Sequence, residues 1–219
     1  MGLLGKYLPD PQVCIAANDD ILAVGQNSVQ ISEFESDIRI DESIRNLLLT
    51  GMGGGNDGES YDLMLYGIAR KTVLDCFEKR LRKGYLFIYA DEPMRLRIFR
   101  NDILTIYGER IEADIPLAQI VSELMQQYHV FVMWPANSTY QHSREQYKTI
   151  FGADRVLTLE SPEWICELIG MVVGMNEAKL SKDAAVHDLV QLGTSRKAAA
   201  QLVDGIVSSS RLLTGVAAD

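Results

Sequence analysis

The run YLFIY at residues 85–89 constrains the fold most, because each position is apolar or aromatic and the run leads directly into Ala90, Asp91, Glu92 and Pro93. Continuous apolar strands of this kind are typical of parallel sheets covered on both faces. Further strand patterns, which alternate with helical patterns, occur at 12–17 (QVCIAA), 28–32 (SVQIS), 129–134 and 155–159. The sequence therefore predicts an α/β fold, a Rossmann-like three-layer sandwich with a mainly parallel sheet. The first two strands could also form a hairpin.

Helical spacing of apolar residues, with acids in first turns and glycine or proline at the ends, predicts helices between these strands. They cover 41–49, 61–81, 94–107, 116–128, 143–151 and 161–173. From residue 176 the chain is alanine-rich without a strand pattern, which predicts two helices separated at Gly193 and capped by Thr194 or Ser195. We therefore expect a domain at 1–175 and a helical C-terminal extension at 176–219. The two tail helices should pack through Ala185, Leu189, Leu202 and Ile206, and their apolar face should dock on its own domain or on another copy.

Charge and cysteine content narrow the classes of function. The 219 residues carry 21 Lys and Arg against 30 Asp and Glu, a net charge of -9, which argues against a nucleic-acid partner. The basic residues between 70 and 83 are expected to form a solvated helix face. Cys14, Cys76 and Cys166 are predicted to be buried free thiols. Without an apolar run long enough for a membrane span, we expect a cytoplasmic protein with no membrane partner.

Three places could carry chemistry. Asp91 and Glu92 end the strongest strand, where open parallel sheets bind ligands. The glycine-rich loop 51–60 precedes a long helix, and could face an anion with its N–H groups or a cation with its oxygens. Asp19 and Asp20 follow the first strand, a position more often occupied by a solvated turn than by a ligand cluster.

The joint pattern of these places resembles a bacterial and phage group of von Willebrand factor A (VWA) domains over about residues 1 to 175. The matching stretches are LPDPQVCIAANDD, QISEFESDIRIDE, GGGNDGESYDLMLYGIARKTVLDCFEKR, KGYLFIYADEP and IVSELMQQYHVFVMWP. The resemblance implies a cytoplasmic binding module with a metal-ion-dependent adhesion site at the upper edge of its sheet.

The resemblance also implies the ligands of that site. Asp91 matches the aspartate after the central strand, and Ser60 matches the hydroxyl of the second loop, with Glu59 as a register-shifted alternative and Asp19 in the outer shell. These oxygen ligands suit Mg2+, or Ca2+ if more oxygens gather, and binding should be weak. The residues expected to contact a bound acidic group are Gly54, Gly55, Asn56, Asp57, Gly58 and Glu92.

The chain departs from the family at its start. It contains no Asp-x-Ser-x-Ser motif, and residues 1–7 match the end of the family's first helix, so the family's first strand is missing. A partner chain could supply that strand, the sheet could close differently, or the sequence could be a fragment of a longer product. We accordingly expect that the protein is not a lone monomer.

Three functions remain open from the sequence. The favoured one is a non-enzymatic protein-interaction or assembly module of the VWA type. The alternatives are a Mg2+-dependent phosphoesterase, with Glu59, Asp91 and Glu92 around the metal, and a purely structural assembly subunit. The residues offer no catalytic nucleophile, so a non-enzyme is expected.

Overall fold

The computed structural model describes residues 2–48, 50, 59–177 and 180–210. Over these residues the protein is mixed α/β, with a three-stranded parallel sheet flanked by helices. The chain divides into two compact units, each assembled from separate stretches of sequence. Unit 1 contains Met1–Pro11, Tyr85–Asp91 and Val130–Asp219, and unit 2 contains Gln12–Gly84 and Glu92–His129. The tail helices belong to the unit that holds the sheet, and the domain boundary at residue 176 stays a prediction.

Each stretch predicted to be helical contains a helix, and a short helix at Ile21–Val24 was not predicted. The helices are α1 (Gly2–Tyr7), α2 (Ile21–Val24), α3 (Arg39–Arg45), α4 (Tyr61–Lys71), α5 (Asp75–Arg80), α6 (Arg100–Tyr107), α7 (Leu117–Gln127), α8 (Arg144–Phe151), α9 (Ile165–Glu177), α10 (Lys182–Gln191) and α11 (Arg196–Ser209). Short 3₁₀ helices lie at Gly25–Ser28, Gln141–Ser143, Ala153–Arg155 and Pro162–Trp164. None of the described helices is both long and apolar enough to cross a membrane.

Within the described ranges, the strands form three separate sheets rather than one sheet that contains all five predicted strands. They are β1 (Ala16–Asn18), β2 (Val29–Ile31), β3 (Gly84–Tyr89), β4 (Arg97–Ile98), β5 (Ile115–Pro116), β6 (Tyr128–Pro135) and β7 (Val156–Leu159). The parallel sheet has the order β3-β6-β7, with Val132 opposite Val156. β1 and β2 pair antiparallel with each other, as the hairpin alternative predicted. A short apolar run such as QVCIAA is compatible with an antiparallel hairpin and with a parallel sheet. The sequence pattern alone therefore could not show that β1 lies outside the parallel sheet.

The core of unit 1 lies between the sheet and the helices that follow it. Trp134, Leu157, Met171 and Val172 are fully buried there. The tail contributes to the same cluster, and the four side chains predicted to pack, Ala185, Leu189, Leu202 and Ile206, all lie in it. Ser195 caps α11 by accepting a hydrogen bond from Ala198 N, as predicted. The expectation that the tail docks on its own domain is therefore confirmed by its packing.

The first helix, α1, packs along α9 at two glycines. A Cβ atom added at Gly170 would clash with the Leu3 side chain, and one at Gly174 would lie 2.8 Å from the Tyr7 ring. The Tyr7 hydroxyl donates a 2.5 Å hydrogen bond to Asp188 of α10, and Lys6 forms an ion pair with the same carboxylate. Burial opposes ionisation of Asp188, but Lys6 and Tyr7 lower its pKa below the ordinary value. Residues 2–7 are thereby tied to the tail.

The core of unit 2 is built around α4, in which each residue from Tyr61 to Ala69 is buried. The sequence predicted one helix over 61–81, and this prediction is wrong, because the chain is extended at Thr72 and α5 begins only at Asp75. The Thr72 hydroxyl donates to the Ile68 carbonyl at 2.6 Å, which satisfies a backbone acceptor at the end of α4. The β-branched pair Thr72 and Val73 favours the extended backbone there.

Other predicted features need smaller corrections. The stretch 94–107 is helical only from Arg100, because Arg97 and Ile98 form β4. The three cysteines are free, but Cys14 and Cys76 are only partly buried and Cys166 is exposed. Cys166 lies on the outer side of α9, so the apolar run around it did not imply burial of its own side chain.

Leu81 ends α5 in a left-handed backbone conformation, with φ 53°. The Arg82 amide donates to the Cys76 carbonyl at 3.0 Å, which is the helix-ending hydrogen bond usually made around a glycine. We expect Leu81→Gly to raise the free energy of unfolding by about 1 kcal/mol, because glycine adopts this conformation without the Cβ clash. Urea titration at low protein concentration measures the change. The matched control, Arg80→Gly inside the helix, should be destabilising, and a loss of stability in Leu81→Gly would contradict the prediction.

Candidate functional site

Asp91 lies at the carboxyl end of the parallel sheet, two residues after β3 ends. Its side chain is half-buried, and its charge acts on the neighbouring Tyr89, whose pKa is raised first by burial and then by Asp91. This is the edge at which parallel sheets present ligand-binding loops. The structure therefore places Asp91 just after the end of a strand of the parallel sheet, as the sequence predicted.

Ser138 is the residue of this edge that sequence reasoning missed. It follows β6, the strand next to β3, and its hydroxyl donates to the Asp91 carbonyl at 2.8 Å while accepting from Tyr140 N at 3.0 Å. Ser138 thus fixes the backbone that carries the Asp91 carboxylate. The only signal in the sequence was its place in a polar loop after a strand.

Ser60 and the Asp19–Asp20 segment are brought together inside unit 2. The Ser60 hydroxyl, fully buried at the start of α4, accepts a 3.0 Å hydrogen bond from Ile21 N, 39 residues away. The Asp19 carboxylate accepts from Asp20 N at 2.9 Å and from the Thr50 hydroxyl. Both predicted ligands are therefore already engaged in hydrogen bonds, and the one made by Ser60 joins the start of α2 to the start of α4.

Asp20 is the more buried of the two aspartates, at 1% exposure. Its Oδ1 atom caps α2 by accepting from Leu22 N at 3.0 Å, but Oδ2 has no hydrogen-bond partner among the described residues. A buried carboxylate oxygen without a donor is costly. The sequence interpretation placed Asp19, rather than Asp20, nearest a metal.

The remaining predicted site residues are Glu59, Glu92 and five residues of the glycine-rich loop. Glu59 is half-buried and its backbone N–H donates to the Pro93 carbonyl at 3.1 Å. Glu92 is half-buried directly after Asp91. Gly54, Gly55, Asn56, Asp57 and Gly58 lie outside the described residues.

A metal site is only partly supported by these positions. Oxygen donors are the right chemistry for Mg2+, and the unpartnered Asp20 oxygen is of that kind. Within the described ranges, however, the structure contains no group of three or more His, Cys, Asp or Glu side chains arranged to hold a metal ion. The predicted Mg2+ or Ca2+ therefore remains a proposal.

Unit 2 also contains a buried charge cluster that the sequence did not reveal. Asp62 of α4 is fully buried and accepts two hydrogen bonds from the Arg95 guanidinium, at 2.9 Å and 3.0 Å. The remaining terminal nitrogen of Arg95 donates to Asp102 at 2.9 Å, and the guanidinium lies 5.7 Å from the centre of the Phe99 ring. Burial raises the pKa of Asp62 to about 7, although Arg95 opposes this rise. The cluster joins α4, the segment before β4 and α6.

The basic residues at the end of α4 are paired rather than simply solvated. Arg70 forms a two-point ion pair with Glu123 of α7, with distances of 2.8 Å and 2.7 Å. Lys71 pairs with Glu109 at 2.5 Å, and the Tyr66 hydroxyl donates to the same carboxylate at 2.8 Å. These contacts give Arg70 and Lys71 a structural role within unit 2.

Comparison with protein-family models, with curated proteins and with solved structures finds no match to this chain.

Proposed function

We propose that the protein is a non-enzymatic protein-interaction module of the VWA type, which carries a degenerate metal-ion-dependent adhesion site. The observation that carries this proposal is the position of Asp91 at the carboxyl edge of a parallel sheet flanked by helices. Ser138 holds the Asp91 backbone in place, which is how a binding residue on a loop is pre-organised. The finer assignment to a Rossmann-like VWA fold is part of the proposal.

In this proposal Asp91 is the principal ligand, and a bound Mg2+ would let the edge grip an acidic side chain of a protein partner. The family resemblance also implies the Ser60 hydroxyl and the carboxylates of Glu59 and Asp19 as ligands, but these three residues belong to unit 2 and Asp91 to unit 1, so the proposal rests on Asp91. The side-chain oxygens of Ser60 and Asp19 already accept hydrogen bonds within unit 2, which leaves them fewer lone pairs for a metal ion. Free cysteines favour a reducing, cytoplasmic location for such a module.

The proposed metal site should bind Mg2+ weakly, because the chain lacks the family's Asp-x-Ser-x-Ser ligand loop and water must complete the coordination shell. Isothermal titration of the chain with MgCl2 is expected to give a dissociation constant of about 1 mM or weaker. Asp91→Ala should abolish the binding heat, whereas Asp20→Asn, which keeps the cap of α2, should leave it unchanged. Submicromolar binding would contradict the degenerate site.

The two variants also locate the site. If Asp20→Asn removes the binding heat and Asp91→Ala does not, the metal binds to unit 2 and the VWA proposal is wrong. The exposed tail carboxylate of Asp183 supplies a control, because Asp183→Ala changes the charge by the same amount far from either candidate in sequence. Equal losses in all three variants would indicate nonspecific electrostatic binding.

A further inference from the structure

Two exposed surfaces of unit 2 combine apolar side chains with opposite charge. The acidic surface consists of Ile38, Asp41, Glu42, Ile44 and Leu48, on and beside α3. The basic surface consists of Lys79, Arg80, Leu81, Arg82 and Lys83, at the end of α5. Because the apolar side chains of the two surfaces are exposed and are accompanied by charges of opposite sign, the two surfaces are candidates for one interface.

The acidic surface lies on a segment whose apolar side chains stay exposed among the residues that the structure describes. Ile38 is 73% exposed, Ile44 48% and Leu48 53%, and none of the seven described residues of α3 is buried. The segment is nevertheless held in place, because the Gln30 side chain of β2 donates to the Leu48 carbonyl at 3.0 Å and accepts from Leu48 N at 2.8 Å. Its apolar residues are therefore presented in a fixed arrangement.

The charge of this segment is acidic overall. Residues 33–45 contain five acids, Glu33, Glu35, Asp37, Asp41 and Glu42, against Arg39 and Arg45. Arg39 is already paired with Glu35 and Asp37, at 2.9 Å in each case. Asp41 and Glu42 are exposed in the first turn of α3 and give the surface its charge.

The basic surface is centred on Leu81, which is 82% exposed. A leucine in the left-handed conformation is strained, and here it presents an apolar side chain to solvent, with two basic residues on either side of it in the sequence. Lys79 pairs with Asp75 at 2.6 Å and Lys83 donates to the Met125 carbonyl at 2.6 Å, so these two are anchored at their positions. The left-handed conformation ends α5, but a glycine would serve this purpose without strain, so the exposed leucine side chain is the feature that points to a role in binding.

We propose that the basic surface of one copy of this chain docks on the acidic surface of a second copy. The contact joins two different surfaces, so copies associate head to tail, closing into a pair or small ring or extending further according to geometry. A second copy is the favoured occupant because the complementary charge and apolar anchor both occur in the same sequence. The proposal does not depend on the metal site, and it uses neither Asp91 nor Ser60.

Sedimentation velocity of the whole chain over the micromolar range tests the proposal. The wild-type protein should grow in size with concentration. Ile44→Asp, which changes the acidic surface, and Leu81→Gly, which removes the apolar anchor of the basic surface, should each weaken association by at least about tenfold. Both positions are exposed, so loss of folding is not expected, and an unchanged circular dichroism spectrum verifies this. Leu192→Asp, on a 59% exposed tail leucine, is the matched control and should associate like wild type.

Mixing the two variants gives the most specific result. Ile44→Asp keeps an intact basic surface and Leu81→Gly keeps an intact acidic surface, so an equimolar mixture should form a 1:1 complex although neither variant associates well alone. Glu42→Lys should weaken association even though it lowers the magnitude of the net charge of -9, whereas general charge repulsion predicts the reverse. A wild-type chain that stays monomeric, or a mixture of the two variants that does not associate, would overturn the proposal.

Discussion

Ending the chain after Glu177 is expected to abolish the cooperative unfolding of unit 1. The truncation removes Leu189, Leu202, Val203 and Ile206 from the core cluster. Burial of an aliphatic side chain of this size contributes about 1.5 to 3 kcal/mol, so four contribute on the order of 10 kcal/mol. The whole stability of a domain is about 5 to 15 kcal/mol, so unit 1 should not remain folded without the tail. Thermal and urea unfolding followed by tryptophan fluorescence report this directly, because Trp134 is fully buried in unit 1.

A shorter truncation and two point variants test whether the loss of stability comes from the tail side chains rather than from shortening the chain. A chain that ends after Ser210 retains α10 and α11 and should unfold like the whole protein. Leu189→Ala should lower the free energy of unfolding by about 2 to 5 kcal/mol, whereas Leu192→Ala, at an exposed position three residues later, should have little effect. Wild-type stability of the chain ending at Glu177 would show that the tail is dispensable.

Arg95→Ala is expected to lower the free energy of unfolding by about 3 to 5 kcal/mol at alkaline pH, because it leaves the buried Asp62 carboxylate without its partner. The loss should depend on pH in a defined direction. The folded-state pKa of Asp62 is raised to about 7, above its unfolded value, so the protein loses stability as the pH rises towards about 7. Without Arg95 the folded-state pKa rises further, and the loss of stability continues above pH 7. The difference between wild type and Arg95→Ala should therefore widen above about pH 7.

Asp62→Asn is the matched variant for this prediction, because it keeps the shape of the side chain and removes its titration. Relative to Asp62→Asn, the wild-type free energy of unfolding should fall by about 1.4 kcal/mol per pH unit between about pH 4 and pH 7. In the Asp62→Asn background, the cost of Arg95→Ala should be smaller and should no longer widen above pH 7. Urea unfolding of the four proteins across this range provides the test. A pH dependence that is the same with and without Asp62 would contradict the assignment.

Local sequence patterns predicted the order of the main elements because apolar periodicity and capping residues act over a few residues. The strand at 85–89, the helix at 116–128 and the cap at Ser195 depend on such short-range signals, and the structure contains β3, α7 and the capped α11. The interruption at Thr72–Leu74 was missed, because the apolar pattern continues through it into α5. The pairing of β1 with β2 was likewise only an alternative, since a strand pattern does not specify its neighbour.

The contacts of the candidate site could be predicted even less well from local sequence patterns. Asp91 could be placed at a strand end from the sequence, but Ser138 could not be linked to it, because their contact depends on the adjacency of β3 and β6. Asp62 had the pattern of an ordinary acid in the first turn of a helix. Its burial and its pairing with Arg95, 33 residues later, arise only from the packing of unit 2.

The docking of α1 has a consequence for folding during synthesis. Tyr7 leaves the ribosome well before its partner Asp188, which is made 181 residues later. At about 5 to 20 residues per second, the first helix must wait on the order of ten seconds or more for the surface that it covers. Unit 2 needs nothing beyond His129 and can complete its core in the meantime. We therefore expect unit 2 to fold before unit 1 during synthesis, although unit 1 begins earlier in the sequence. Leu3 and Tyr7 should remain accessible to chaperones until α9 and α10 emerge.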